Sequence, residues 1–215
     1  MEVIYLTLTL LWSTKAACPV GPPVAAEGVV WVATADKRVL AIELATGEKL
    51  WTRRFRAPLI GPPQFYDGTL FCKTSFPDGK VYALQAADGK VIWRKDAGDT
   101  ICNLVVCGGR VAYAAGNEIV FLEIRDGEEE GRVVCDERLT DLVTSDEGGV
   151  VALTPTGKWC YCRPDRRKPV WVVEAGPGAT PPVIADGTVW GLNGAGELVR
   201  VTLTEGRVIS RTDLD

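Results

Sequence analysis

Short apolar runs separated by glycine-containing turns dominate this chain, and they return in a fixed order. The segment Val39-Leu40-Ala41-Ile42 is apolar without alternation, the pattern of a strand covered on both faces rather than half-solvated. Its surroundings, VLAIELATGEKLW from Val39 to Trp51, return as VYALQAADGKVIW from Val81 to Trp93. Weaker copies begin at Ile119, Trp159 and Leu198, so that Ala41, Ala83, Phe121, Tyr161 and Arg200 occupy equivalent positions at steps of 42, 38, 40 and 39 residues. A second element precedes each copy: a short apolar strand, a turn and another strand. Its turn glycines, Gly28, Gly68, Gly109, Gly149 and Gly187, keep the same cadence.

Each unit therefore predicts four short strands in roughly 40 residues, the signature of a propeller blade. The fold class is all-β: a β-propeller of about five four-stranded blades. Residues 1–215 read as a single domain with units near 20–57, 58–98, 99–138, 139–176 and 177–215. The turn between third and fourth strands carries Gly47, Gly89, Gly127 and Gly206, where a tight hairpin needs a positive φ. Unit four departs from this with Pro164-Asp165-Arg166-Arg167, which predicts a looser hairpin or one shaped for contact. Trp51, Trp93 and Trp171 share one position and are read as staples between blades, each indole N–H reaching a backbone carbonyl.

The run from Ala83 to Trp93, Ala-Leu-Gln-Ala-Ala-Asp-Gly-Lys-Val-Ile-Trp, resembles the tryptophan-docking motif of PQQ-like (quinoprotein) repeats. That family includes quinoprotein alcohol dehydrogenases and the propeller lipoprotein of the bacterial outer-membrane assembly machine. The resemblance spans the chain from about residue 20. It is strong in units one and two, partial in five and degenerate in three and four. It implies architecture, not chemistry. The family's enzymes use a larger ring, a calcium ion, a catalytic carboxylate and, in many members, a disulfide between adjacent cysteines. This sequence has no Cys-Cys pair, and those functional residues find no matching positions.

Composition narrows the function further. An apolar fraction of 47% with 23 Gly and 13 Pro describes a folded, turn-rich chain. The 24 Lys and Arg against 28 Asp and Glu give a net charge of −4, which offers no cationic field for nucleic acid. The absence of His removes the commonest general base and metal ligand. The seven cysteines, at 18, 72, 102, 107, 135, 160 and 162, read as buried structural thiols of a reducing compartment. Cys160 and Cys162 face one side of a strand, with no second pair to complete a zinc site. Val3 to Trp12 is apolar but too short to span a bilayer, so no membrane insertion is expected. It reads as a strand, with contact to unit five as the expectation. A cytoplasmic location follows, the alternative being export with residues 1–18 as an atypical signal. Whether five units close a ring alone or complete a larger one stays open.

The chemistry-bearing candidates are contact residues. Glu128, Glu129 and Glu130 and the basic Arg163, Arg166, Arg167 and Lys168 fall at equivalent hairpins of adjacent units and are expected on one rim, with Trp159 and Tyr161 beside them. The alternative is a set of solvated hairpins. Trp31, Phe71 and Trp190 recur after their turn glycines and are read as packing between blades. No catalytic residue, cofactor or metal is expected. The reading is a non-catalytic protein-interaction scaffold with a protein partner. The alternative is a small-molecule or glycan-binding propeller, with a PQQ-dependent oxidoreductase remnant behind it.

Overall fold

The computed structural model describes residues 12–98 and 102–214. These form five four-stranded antiparallel sheets, each strand hydrogen-bonded to the next in sequence. Unit 1 holds β1 (Val24–Ala26), β2 (Val29–Thr34), β3 (Arg38–Glu43) and β4 (Lys49–Arg54). Unit 2 holds β5 (Gln64–Tyr66), β6 (Thr69–Lys73), β7 (Lys80–Gln85) and β8 (Val91–Asp96). Unit 3 holds β9 (Leu104–Cys107), β10 (Arg110–Ala115), β11 (Glu118–Glu123) and β12 (Glu129–Val134). Unit 4 holds β13 (Asp141–Thr144), β14 (Val150–Leu153), β15 (Lys158–Cys162) and β16 (Trp171–Glu174). Unit 5 holds β17 (Val183–Ala185), β18 (Thr188–Leu192), β19 (Glu197–Thr202) and β20 (Val208–Asp213).

The continuous apolar third strands acquire their meaning from stacking. In β3, Val39 and Ala41 face unit 2, where they join Leu70, Cys72, Tyr82 and Leu84 in one core. The alternate residues Leu40 and Ile42 belong to a different cluster on the opposite face, with Val30 and Trp12. All four are buried because both faces of the sheet are covered, which is why no polar residue interrupts the run. The same sharing joins unit 2 to 3 through Val81 and Ala83 with Val111 and Val120, unit 3 to 4 through Ile119 and Phe121 with Val150 and Ala152, and unit 4 to 5 through Val151 and Leu153 with Val199 and Val201. The first strands β1, β5, β9, β13 and β17 touch in chain order, so the blades fan successively.

The expected contact of residues 3–12 with unit five lies outside the described residues except for Trp12. That side chain sits on unit 1, its Nε1–H donating to the Leu44 carbonyl at 2.8 Å.

Candidate functional site

Three of the four seams between successive blades share one fastening, which Trp12 repeats on unit 1. An indole from the end of one blade lies over the third-to-fourth-strand turn of the next, and its N–H donates to the carbonyl three residues before the turn glycine. Trp51 reaches Ala86 at 3.0 Å, Trp93 reaches Ile124 at 2.7 Å and Trp171 reaches Leu203 at 2.6 Å, as Trp12 reaches Leu44. The glycine is required twice over. Gly89 has φ 71° and Gly127 φ 73°, and a Cβ on either would stand 2.8 or 2.7 Å from the indole above it. Each of these hairpins carries a β-bulge, its pairing register shifting between Ala41 and Ile42, Ala83 and Leu84, Phe121 and Leu122, and Arg200 and Val201. The bulge adds local twist that re-aims the hairpin.

Among the described residues, the seam between units 3 and 4 lacks all of this. Gly131, paired with Phe121, stands where units 1, 2 and 4 place tryptophan. The facing turn has no glycine, and β15 pairs with β16 without a bulge, Tyr161 lying opposite Trp171. The connection Arg163–Val170 instead folds outward over β12. The Val134 N–H donates to the Arg167 carbonyl at 3.0 Å, which pins the hairpin backbone to unit 3. The Pro164 carbonyl oxygen approaches Gly131 more closely than any Cβ would allow, so Gly131 makes room for this backbone.

The result is a groove of about 470 Å³ between Glu129–Val134 and Pro164–Arg167. Two further depressions flank the same hairpin, one of about 570 Å³ beside Arg166, Arg167 and Lys168, the other of about 420 Å³ beside Arg110, Glu147 and Arg163. Glu129 and Glu130 thus meet Arg166 and Arg167 across one groove. Glu128, Arg163 and Lys168 are exposed nearby on the two connections. The acidic side is neutralised within unit 3: Arg132 pairs with Glu129 at 2.7 Å and also with Glu118, and Arg110 pairs with Glu130. The Arg132 hydrogen bond holds the Glu129 carboxyl below the usual carboxylate range. On the basic side Arg163 and Arg166 share Asp165, at 3.1 and 3.8 Å. Among the described residues, Arg167 and Lys168 have no carboxylate partner.

Two expected rim residues are elsewhere. Trp159 is 0% exposed and Tyr161 1%, and both lie in the core between units 4 and 5. The Trp159 indole occupies space that a Cβ at Gly191 would fill, and the Tyr161 ring does the same over Gly149. They are packing residues, because their strand, β15, is covered on both faces. Trp31 and Phe71 are buried between blades, while Trp190 is half-buried with the Arg200 guanidinium 4.1 Å from its ring centroid.

Six of the seven cysteines are buried and Cys18 is exposed, against the expectation for that residue. Burial pushes the thiols of Cys72 and Cys102 up to about 12 and that of Cys107 to about 11, far from the depressed values of reactive thiolates.

The family model described as outer membrane protein assembly factor BamB matches residues 7–212. The chain belongs to this family. Among curated relatives, it is 35% identical to the outer membrane protein assembly factor BamB of Burkholderia pseudomallei (strain K96243) in a 77-residue alignment taking in 34% of this chain and 20% of that protein. It is 31% identical to a quinoprotein ethanol dehydrogenase of Pseudomonas putida in a 96-residue alignment, 38% of this chain and 14% of that one. The matches thus span no more than a fifth of either relative. Among solved structures, BamB from Moraxella catarrhalis superposes with a TM-score of 0.72 at 17% identity, covering 90% of this chain and 61% of that one. The computationally designed Ika8 protein gives 0.78 at 15%, covering 91% and 61%. The quinohemoprotein alcohol dehydrogenase of Comamonas testosteroni gives 0.70 at 15%, covering 93% and 43%. These likenesses establish the PQQ-like propeller fold.

Proposed function

We propose that this chain is a non-catalytic protein-interaction scaffold that presents the outer rim of units 3 and 4 to a protein partner. The observation that carries the reading is the coincident loss, at one seam, of the docking tryptophan, the turn glycine and the bulge. A regular repeat needs no charged, outward-folded hairpin to hold its blades, and departures from a local rule concentrate where function overrides it. Membership of a family described by an assembly factor supports an interaction role. The match to a quinoprotein dehydrogenase keeps an oxidoreductase origin in view, yet the quinoprotein features implied by the resemblance find no counterpart in this sequence. The three depressions are open and charged, which favours a broad partner over an enclosed small ligand.

The test compares proteins recovered from source-cell extract by three baits. These are the parent, an Arg166→Glu/Arg167→Glu/Lys168→Glu variant, and a Lys49→Glu/Arg94→Glu/Lys95→Glu control that reverses exposed charges in units 1 and 2. Quantitative mass spectrometry is expected to find proteins lost from the unit 4 variant and retained by the control. Identical recovery with all three baits removes the rim from the reading.

A further inference from the structure

Resting on that reading, we infer that the groove between units 3 and 4 receives an extended acidic segment of the partner, with carboxylates placed against Arg166, Arg167 and Lys168. The argument is one of charge left over after the groove has satisfied itself. The two carboxylates that line the unit 3 wall already have an arginine: Glu129 shares Arg132 with Glu118, and Glu130 has Arg110. On the unit 4 wall, Asp165 serves Arg163 and Arg166, and the next two cations, Arg167 and Lys168, are exposed and without a carboxylate among the described residues. The unmet electrostatic demand along the Arg166–Lys168 side is therefore for anions. The protein's net charge of −4 makes this patch a local exception to its overall field.

The backbone beneath these cations is fixed, which separates them from an ordinary flexible loop. The Arg167 carbonyl accepts the Val134 N–H at 3.0 Å, the Arg166 N–H reaches the Arg163 carbonyl at 3.1 Å, and the Val170 N–H reaches the Tyr161 carbonyl at 2.7 Å. A preorganised hairpin loses less entropy when its side chains engage. The shape selects an extended ligand. The groove of about 470 Å³ and the depression of about 570 Å³ share Arg166 and Arg167, so the space runs past the hairpin rather than closing around a point; the adjoining depression of about 420 Å³ is lined by Asp146 and Glu147 and lies outside this anion path. Guanidinium groups suit carboxylates because their planar forks match carboxylate geometry.

The probe is a fluorescein-labelled peptide alternating Glu and Ser, read by anisotropy at low and physiological salt. Its Lys-for-Glu counterpart and a single-stranded oligothymidylate of matching charge serve as comparisons. The parent is expected to bind the acidic peptide and not the basic one, with affinity falling steeply with salt. The Arg166→Glu/Arg167→Glu/Lys168→Glu variant is expected to bind it about tenfold or more weakly, from three rim charges acting together. The control triple of units 1 and 2 is expected to bind as the parent does. Should the first variant prove unfolded by circular dichroism, the milder Arg167→Gln/Lys168→Gln pair takes its place. No binding by the parent, equal loss in the control, or equally tight binding of the oligothymidylate would each overturn the proposal. If rim-dependent partners are captured from extract while the acidic peptide fails to bind, the scaffold stands and the acidic ligand falls. If neither occurs, both fall.

Discussion

At the scale of single residues, the tryptophan and the glycine beneath it act as one unit. The Trp93 indole is 8% exposed, it donates to Ile124, and a Cβ at Gly127 would stand 2.7 Å from its six-membered ring. Removing it leaves a cavity between units 2 and 3 and an unmet carbonyl. Trp93→Ala is expected to cost about 3–5 kcal/mol and to lower the melting temperature by about 10 °C for a chain of this length, read by calorimetry; an unchanged transition would exclude the stapling role. This pairing was legible in the sequence because Trp and Gly recur at fixed offsets and the chemistry of each has few alternatives. The failure at Trp159 and Tyr161 is equally physical. Tyr161 aligns with Ala41 and Ala83, and in a sheet covered on both faces an aromatic at that position has nowhere to go but the core. The repeat alignment itself carried that signal, and proximity in sequence to the charged hairpin masked it.

At the scale of elements, the informative hairpin is the one that breaks the pattern. The missing glycine near Asp165 announced an unusual turn, but not that Gly131 in the neighbouring unit was its counterpart, since that relation exists only across a seam. The seam still has a core, in which Cys107, Cys135, Cys160 and Cys162 pack with Ile119, Phe121 and Val150. The blades are therefore held without the indole, and the outer hairpin is free to serve the surface. A methyl group at Gly131 has to displace the Pro164 backbone, not a pliable side chain. Gly131→Ala is expected to cost about 1–3 kcal/mol, the usual range for overpacking. It should also abolish slow exchange of the Val134 amide, whose acceptor is the displaced Arg167 carbonyl. Full protection of that amide in the variant would show that the hairpin does not rest on Gly131.

At the scale of the whole molecule, blades that fan in chain order make an approximately one-dimensional stack, in which stability is a sum of blade and seam contributions. Unit 5 tests this. It meets unit 4 through Val189, Val199, Val201 and Leu203, all at most 2% exposed. The opposite face, at Trp190, Leu198 and Arg200, is only half-buried, and Leu192 is 38% exposed. The equivalent positions of unit 4, Val151, Leu153, Trp159 and Tyr161, are all buried. Unit 5 therefore depends heavily on its seam with unit 4, and Trp171 fastens that seam through Leu203. Trp171→Ala withdraws about 3 kcal/mol or more from one seam. Amides in β18 and β19 are then expected to exchange faster by about two orders of magnitude, as a local opening of unit 5. Those in β10 and β11, separated from the lesion by unit 4, are expected to keep their parent rates. Acceleration spread evenly over every unit would mean that the blades unfold together, and that stability here belongs to the assembly rather than to its successive seams.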